Sequence, residues 1–302
     1  MKLRIISYLP ALALLVAVTA CGGDDDGITL GGDGGGGGTT GTGTAQMARR
    51  MEVPALKEGN LFVAHWSEEN GKDVMTYCLE YDAAKYHSRW VAFRFDGDTR
   101  ARNVQRKPYE QKPQYPIDPQ LPVACALESD VSFNGYQHGH LCASADRLYS
   151  RTANDNTFYM TNLSPQTGNF NAPYWSEFEA LVQRLGRDAS FADTLYVVKG
   201  GTIAEGQYTQ RVASGRIVVP KYYYMALLKV KNGSYSSIAF LMEHKNYGTG
   251  KPSAAEVKSR ACTVNHLEAF TGIDFFHNLP DQTEEKVEDI CVPSQWVRTA
   301  LR

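Results

Sequence analysis

Tyr136-Gln137-His138-Gly139-His140 opens a stretch of 44 residues that decides how this chain is read. The stretch passes through Thr161-Asn162-Leu163-Ser164-Pro165-Gln166 and closes on Asn171-Ala172-Pro173-Tyr174-Trp175 and Glu179. A histidine can take a proton near neutral pH, an amide oxygen can hold a hard cation, and a carboxylate follows two helical turns later. Taken singly, each residue has an ordinary reading: a surface or core histidine, a helix cap, a solvated acid. Their order changes that. A histidine at a strand end, then a second strand, then an asparagine at the mouth of a helix forms a β-β-α unit. Such a unit can hold a base and a metal ligand close together on a rigid frame, a set suited to phosphoryl transfer.

Working outward, the segment after Asn171 carries the clearest helical pattern. Trp175, Phe178, Leu181, Val182 and Leu185 recur at three- and four-residue spacing. Pro173 suits a first helical turn and Asn171 the N-cap, with Asn171, Trp175 and Glu179 along one side. A second helix is expected over Ala254 to Gly272, with Val257, Cys262, Val264, Leu267 and Phe270 inward. Strand signals rich in aromatic and β-branched residues fall at Asp73–Tyr81, Arg89–Phe95, Phe158–Asn162, Thr194–Lys199, Tyr222–Lys231 and Ser237–Met242. Arg216–Pro220 adds another, ended by its proline. The expected class is α+β, a mainly antiparallel central sheet flanked by helices.

The N-terminal end reads as an export and anchoring device. Lys2 and Arg4 precede an apolar run, Ile5 to Val18, that is short for a membrane span. Val18-Thr19-Ala20-Cys21 resembles the lipobox of bacterial lipoproteins, which implies a signal peptide over 1–20 and a diacylglycerol on the Cys21 sulfur. The Gly-, Asp- and Thr-rich residues 21–45 read as a flexible tether, and 46–302 as one domain. The expected location is an outer-membrane lipoprotein, facing the periplasm or the cell surface.

With Lys2 and Arg4 set aside from the 31 basic residues, and Asp24, Asp25, Asp26 and Asp33 from the 33 acidic ones, 29 of each remain. A formally neutral body excludes a uniformly basic nucleic-acid binder, so any attraction to a polyanion is local. The densest run is Arg94, Arg100, Arg102, Arg106 and Lys107. Five cysteines follow Cys21, and none stands in a CxxC spacing, which argues against a zinc ribbon. Cys262–Cys291 is the expected disulfide, with Cys125–Cys142 a weaker second pairing.

The central stretch resembles the DNA/RNA non-specific endonucleases of the ββα-metal (His-Me finger) superfamily. Asn162 to Gln166 matches the family's Asn-(Ile/Met/Leu)-(Ser/Thr)-Pro-Gln, and Phe170-Asn171 through Trp175 to Phe178-Glu179 matches its metal-ligand helix. Trp90-Val91-Ala92-Phe93 resembles its early core strand, and Thr271-Gly272-Ile273 with Leu279-Pro280-Asp281 its closing segment. The resemblance implies His140 as general base, Asn171 as the single protein ligand of Mg²⁺ (Mn²⁺ as a substitute), and Glu179 as a carboxylate behind the ion's water shell. It implies that Asn162 and Gln166 are substrate-site residues that position the base strand and the metal's waters, and that Arg102, or less readily Arg100, clamps phosphate. It further implies cleavage of DNA and RNA to 5′-phosphate ends, with no protein partner. The departure lies at Gln137-His138, where the family has Asp-Arg; His138 would touch phosphate in place of that arginine. Two other readings follow: a weakened homologue that binds nucleic acid without turnover, and a transition-metal pair of His138 and His140, with zinc as the metal. For the latter, we expect an extended strand to part the two rings onto opposite faces, and no third ligand at standard spacing lies nearby.

Overall fold

A computed structural model describes residues 42–297 of the chain. The signal peptide, Cys21 and nearly all of the tether lie outside the described residues. The tether's expected last residues instead begin a short helix, α1 (Thr42–Met47). Eleven strands follow among the described residues: β1 (Leu61–Glu69), β2 (Lys72–Asp82), β3 (His87–Phe95), β4 (Gln137–His140), β5 (Leu163–Gln166), β6 (Thr194–Gly201), β7 (Tyr208–Val212), β8 (Ile217–Pro220), β9 (Tyr222–Lys231), β10 (Ser234–Glu243) and β11 (Ala261–Cys262). The remaining α-helices are α2 (Arg151–Asn156), α3 (Ser176–Arg187), α4 (Ala254–Ser259), α5 (Val264–Thr271), α6 (Asp281–Glu288) and α7 (Pro293–Trp296).

The expected α+β class is what the chain forms. Seven strands pair antiparallel in the order β1-β2-β3-β6-β9-β10-β11. Both faces of this sheet are covered, which explains why its central strands read as apolar runs rather than clean alternations. On one face Leu79, Val91, Phe93, Val197 and Leu227 pack against Phe178, Leu181, Val182 and Leu185 of α3. On the other, Trp90, Val198, Tyr224 and Ala226 meet Val264 and Leu267 of α5 and Val287 of α6. Each large apolar side chain buried this way stabilises by about 1.5–3 kcal/mol. Gly186 lets α3 approach the sheet; a Cβ there would run into the Phe95 ring.

Three local expectations change. The strand read at Phe158–Asn162 begins later: Met160–Asn162 is a single 3₁₀ turn, and the strand is β5, paired antiparallel with β4 so that His140 faces Leu163 and Gly139 faces Ser164. Asn171 does not cap the helix. It sits in the turn Phe170–Trp175, which is broken by extended backbone at Ala172 (φ −144°, ψ 124°), and the regular helix starts at Ser176. The reason is steric: the residue before a proline is driven out of the helical region, so Pro173 separates Asn171 from α3 instead of opening it. The helix expected over Ala254–Gly272 is two. Ser253 Oγ accepts from Glu256 N and Thr263 Oγ1 from His266 N, so each segment has its own cap. Between them Ala261–Cys262 pairs with Phe240 and Ala239 as an edge strand, which takes Cys262 off any helix face.

The five described cysteines are free thiols, so neither expected disulfide is formed. Cys142 lies in the core beneath β4 while Cys125 sits in a half-exposed turn. Cys262 and Cys291 are neighbours: burial pushes the Cys262 thiol up to about 12, and the Cys291 thiolate adds to that rise.

Candidate active site

β4, β5 and the turn into α3 form a β-β-α unit lying beside the large sheet. Its hinge is the fully buried Asn162. The Asn162 side chain accepts from Cys142 N (2.8 Å) and donates to the carbonyls of Cys142 (2.8 Å) and Thr157 (2.6 Å). Leu141 N donates to Asn162 O at 2.9 Å. These bonds fix the backbone directly after His140, so the direction of that ring is set by β5 rather than by a flexible loop. The close contact at Gly139 does the same for the strand pair: a Cβ there would collide with the Gln166 side chain. Gln166 is buried, and neither polar atom of its amide has a hydrogen-bond partner.

His140 presents a buried Nε2 without a partner. Its ring stands edge-on to Phe158 (5.1 Å between centroids, 85°). Burial lowers its pKa to about 3, with the Arg106 guanidinium, His138 and Lys199 adding to the drop and Asp146 opposing it. The imidazole is therefore neutral at physiological pH, with a lone pair available. Trp175 links this strand to the helix: its indole N–H is shared between the His140 carbonyl (3.3 Å) and Glu179 Oε1 (3.0 Å). Burial pushes the Glu179 carboxyl up to about 8, Asp146 adds to it, and Lys199 and the indole pull it back. Beneath them Lys199 and Asp146 form a wholly buried ion pair (2.8 Å) that sequence reading did not single out. Asp146 Oδ2 also accepts from Ala143 N at 3.0 Å, tying the pair to the loop after β4.

Asn171 Nδ2 donates to Gln137 Oε1 at 2.7 Å. That bond uses the amide nitrogen and leaves Oδ1 without a protein partner among the described residues. Gln137, one of the two residues that depart from the family pattern, thus orients the candidate metal ligand. A single neutral oxygen with bare polar atoms on His140 and Gln166 fits a hard cation that keeps most of its waters. Among the described residues no group of three His, Cys, Asp or Glu is placed to hold a metal ion, which fits poorly with a zinc cage.

His138 behaves differently from the expectation. Its ring is sandwiched between Tyr115 (4.5 Å, 18°) and Phe133 (4.2 Å, 28°), and its Nε2 lies 2.8 Å from the Val131 carbonyl, to which it donates. Burial lowers its pKa. A neutral, stacked ring with its N–H committed offers no charge to a phosphate. The two histidines also share one side of β4, since side chains two apart point the same way, and Tyr115 touches both. The expected opposite-face placement is therefore corrected.

Of the arginines, Arg100 is committed elsewhere: its guanidinium donates to the carbonyls of Asp96 (2.9 Å) and Asp193 (2.7 Å). Arg102 is exposed and lies near Arg187, whose pKa burial lowers and Arg102 lowers a little further. The cation beside His140 is Arg106, which the sequence shows only as one member of a basic run. Its guanidinium lies over Phe158 (4.8 Å) and over Tyr109 (3.7 Å).

Comparison with known proteins finds nucleases. The chain is 27% identical over 181 residues to Nuclease C1 of Cunninghamella echinulata var. echinulata, covering 58% of this chain and 69% of that protein. It is 27% identical over 228 residues to the mitochondrial Nuclease EXOG of Mus musculus (71% of this chain, 58% of that one). It is 26% identical over 218 residues to a nuclease of Nostoc sp. (70% and 75%). A chain in the crystal structure of the EndoG/EndoGI complex superposes with a TM-score of 0.59 at 19% identity, covering 73% of this chain and 89% of that one. The family model for DNA/RNA non-specific endonucleases matches residues 59–282. This chain belongs to the DNA/RNA non-specific endonuclease family.

Proposed function

We propose that this protein is a Mg²⁺-dependent, sugar-non-specific endonuclease that hydrolyses phosphodiester bonds of DNA and RNA to 5′-phosphate ends. The observation that carries this reading is the neutral ring of His140, at the end of the strand that Trp175 ties to Glu179. The His140 imidazole accepts the proton of a water that attacks phosphorus, and the rigid β4–β5 pair holds that ring in place. Asn171 Oδ1 would hold the cation, with Mn²⁺ as a substitute for Mg²⁺, and Glu179 would order the ion's waters. Once bound, the ion would stabilise charge on the scissile phosphate and the leaving oxygen. Arg106 supplies positive charge beside the base. Nicking of supercoiled plasmid in Mg²⁺, lost in EDTA and in His140→Ala, tests the proposal. Intact plasmid at high protein and low salt would refute it.

A second reading, a weakened homologue that acts as a nucleic-acid-binding protein, draws on one observation. His138 stands where the family has a charged arginine, and its stacked ring carries no charge. Salt-dependent DNA binding without cleavage would favour that reading. We further propose that the chain is held at the outer membrane, facing the periplasm or cell surface, through a lipid on Cys21. The basic start, the apolar run and Val18-Thr19-Ala20-Cys21 support this. Incorporation of labelled fatty acid that persists in Cys21→Ala would overturn it.

A further inference from the structure

We propose that Tyr109 is a stacking platform for an unpaired base, and that it gives the site a preference for single-stranded nucleic acid. The inference rests on the reading of the chain as a nucleic-acid enzyme and adds a subsite and a strand preference to it. Tyr109 is 64% exposed, the most exposed aromatic side chain among the described residues. One face of its ring is covered by the Arg106 guanidinium (3.7 Å), whose carbon also lies 4.8 Å from the centre of the Phe158 ring. Phe158 in turn stands edge-on to His140. These contacts link the base nitrogen at one end to an aromatic face in water at the other.

Arg106 is itself held in place. Its NH1 donates to the Lys107 carbonyl (3.0 Å), and it lies close enough to Tyr115 to oppose the rise that burial causes in that phenol's pKa. Lys107 anchors the same loop by donating to the carbonyls of Pro113 (2.9 Å) and Gln114 (3.4 Å). The loop thus shows a fixed cation near His140 and an open ring one contact further out. That is the pairing by which single strands are gripped: charge for the backbone, a π-face for the base, with no demand on base identity. Inside a duplex both faces of each base are already stacked on neighbours, so away from the duplex ends only an unpaired base can use the Tyr109 ring.

The test uses the full chain with a short single-stranded oligonucleotide and the blunt duplex of the same sequence. Binding is read by fluorescence anisotropy in EDTA, where no turnover occurs, and KM and kcat are read in Mg²⁺. Tyr109→Ala should weaken single-strand binding and raise its KM by about 5- to 100-fold, the worth of one aromatic–base stack. Duplex binding should stay within about twofold, the scale of a lost contact too weak to matter. Tyr109→Trp should restore the affinity, with its indole emission quenched on binding. An oligonucleotide of abasic residues should bind wild type as weakly as the ordinary strand binds Tyr109→Ala, and Tyr109→Ala should not distinguish the two.

Equal binding of the single strand by wild type and Tyr109→Ala would overturn the proposal. So would equal losses for strand and duplex, a Tyr109→Trp protein that stays weak, additive losses in the abasic series, or a wild type that binds no single strand in EDTA. If the anisotropy pattern appears but nothing is cut, the nuclease reading fails and the platform stands.

Discussion

The hydrogen bond from Asn171 Nδ2 to Gln137 Oε1 gives the sharpest prediction, because it places an orienting role on a residue where this chain leaves its family's pattern. Removing the acceptor in Gln137→Ala leaves the Asn171 amide free to turn, so its oxygen is no longer presented to the cation. The bond joins two neutral groups and lies near the surface, where water competes. A neutral bond contributes about 0.5–1.5 kcal/mol, with exposure favouring the lower half. That converts to a rise of about 2- to 10-fold in the Mg²⁺ concentration needed for half-maximal nicking. Gln137→Glu should act in the opposite direction. A carboxylate can only accept, so it fixes the same amide orientation through a charge-assisted bond, roughly twice as strong. It also places negative charge near the ion. The Mg²⁺ midpoint should fall by about 5-fold, equivalent to about 1 kcal/mol. Plasmid nicking across a Mg²⁺ series gives the midpoints, calorimetric Mg²⁺ binding without DNA checks them independently of turnover, and Asn171→Ala sets the scale of full loss. Midpoints unchanged in both Gln137 variants would refute the orienting role.

His138→Ala should cost stability more than rate, since the ring fills a stack between Tyr115 and Phe133; a Tm drop equivalent to about 1–3 kcal/mol is expected, and a large loss of kcat with no change in Tm would count against it. Arg106→Ala should reduce kcat/KM by about 10- to 100-fold through loss of a charge beside the base, whereas Arg100→Ala, whose guanidinium is spent on loop carbonyls, should leave the rate near wild type. Equal effects from the two arginines would contradict the geometry. The acidic corner at the end of the chain predicts a pH dependence of stability. Burial and the neighbouring carboxylates raise Glu284 to about 7 and Glu288 to about 8 from 4.5. The folded state then holds these protons more tightly than the unfolded one. Their stabilising contribution is complete below about 4.5 and is lost as pH rises through about 7 to 8. Melting curves across that window should show Tm falling with pH, and Glu288→Gln should flatten the slope; a slope the substitution leaves alone would exclude Glu288 as a source.

The sequence by itself determined what depends on local pattern. Apolar runs marked β2, β3, β6, β9 and β10, and the stripe Phe178, Leu181, Val182, Leu185 marked α3, because strand and helix periods are properties of neighbouring residues. The ordered motifs around Asn162 and Asn171 set the family. Pattern failed where capping or proline sterics override it: Thr263 splits one apolar helix in two, and Pro173 pushes Ala172 out of the helix that Asn171 would have opened. Tertiary structure alone decided what each polar side chain near the site does. His138 and His140 are two residues apart and look equivalent, yet one ring is closed between Tyr115 and Phe133 while the other keeps a bare nitrogen. Arg100 and Arg106 look alike in a basic run, yet one holds carbonyls and the other lies by the base. Those distinctions come from the aperiodic residues 96–135, whose course is fixed by long-range bonds such as Met160 N to Pro116 O (3.0 Å) and Ile117 N to Ser129 Oγ (2.9 Å). A loop with no period carries no record of where it packs. Its side chains acquire their roles only when the sheet and β4–β5 give them something to pack against.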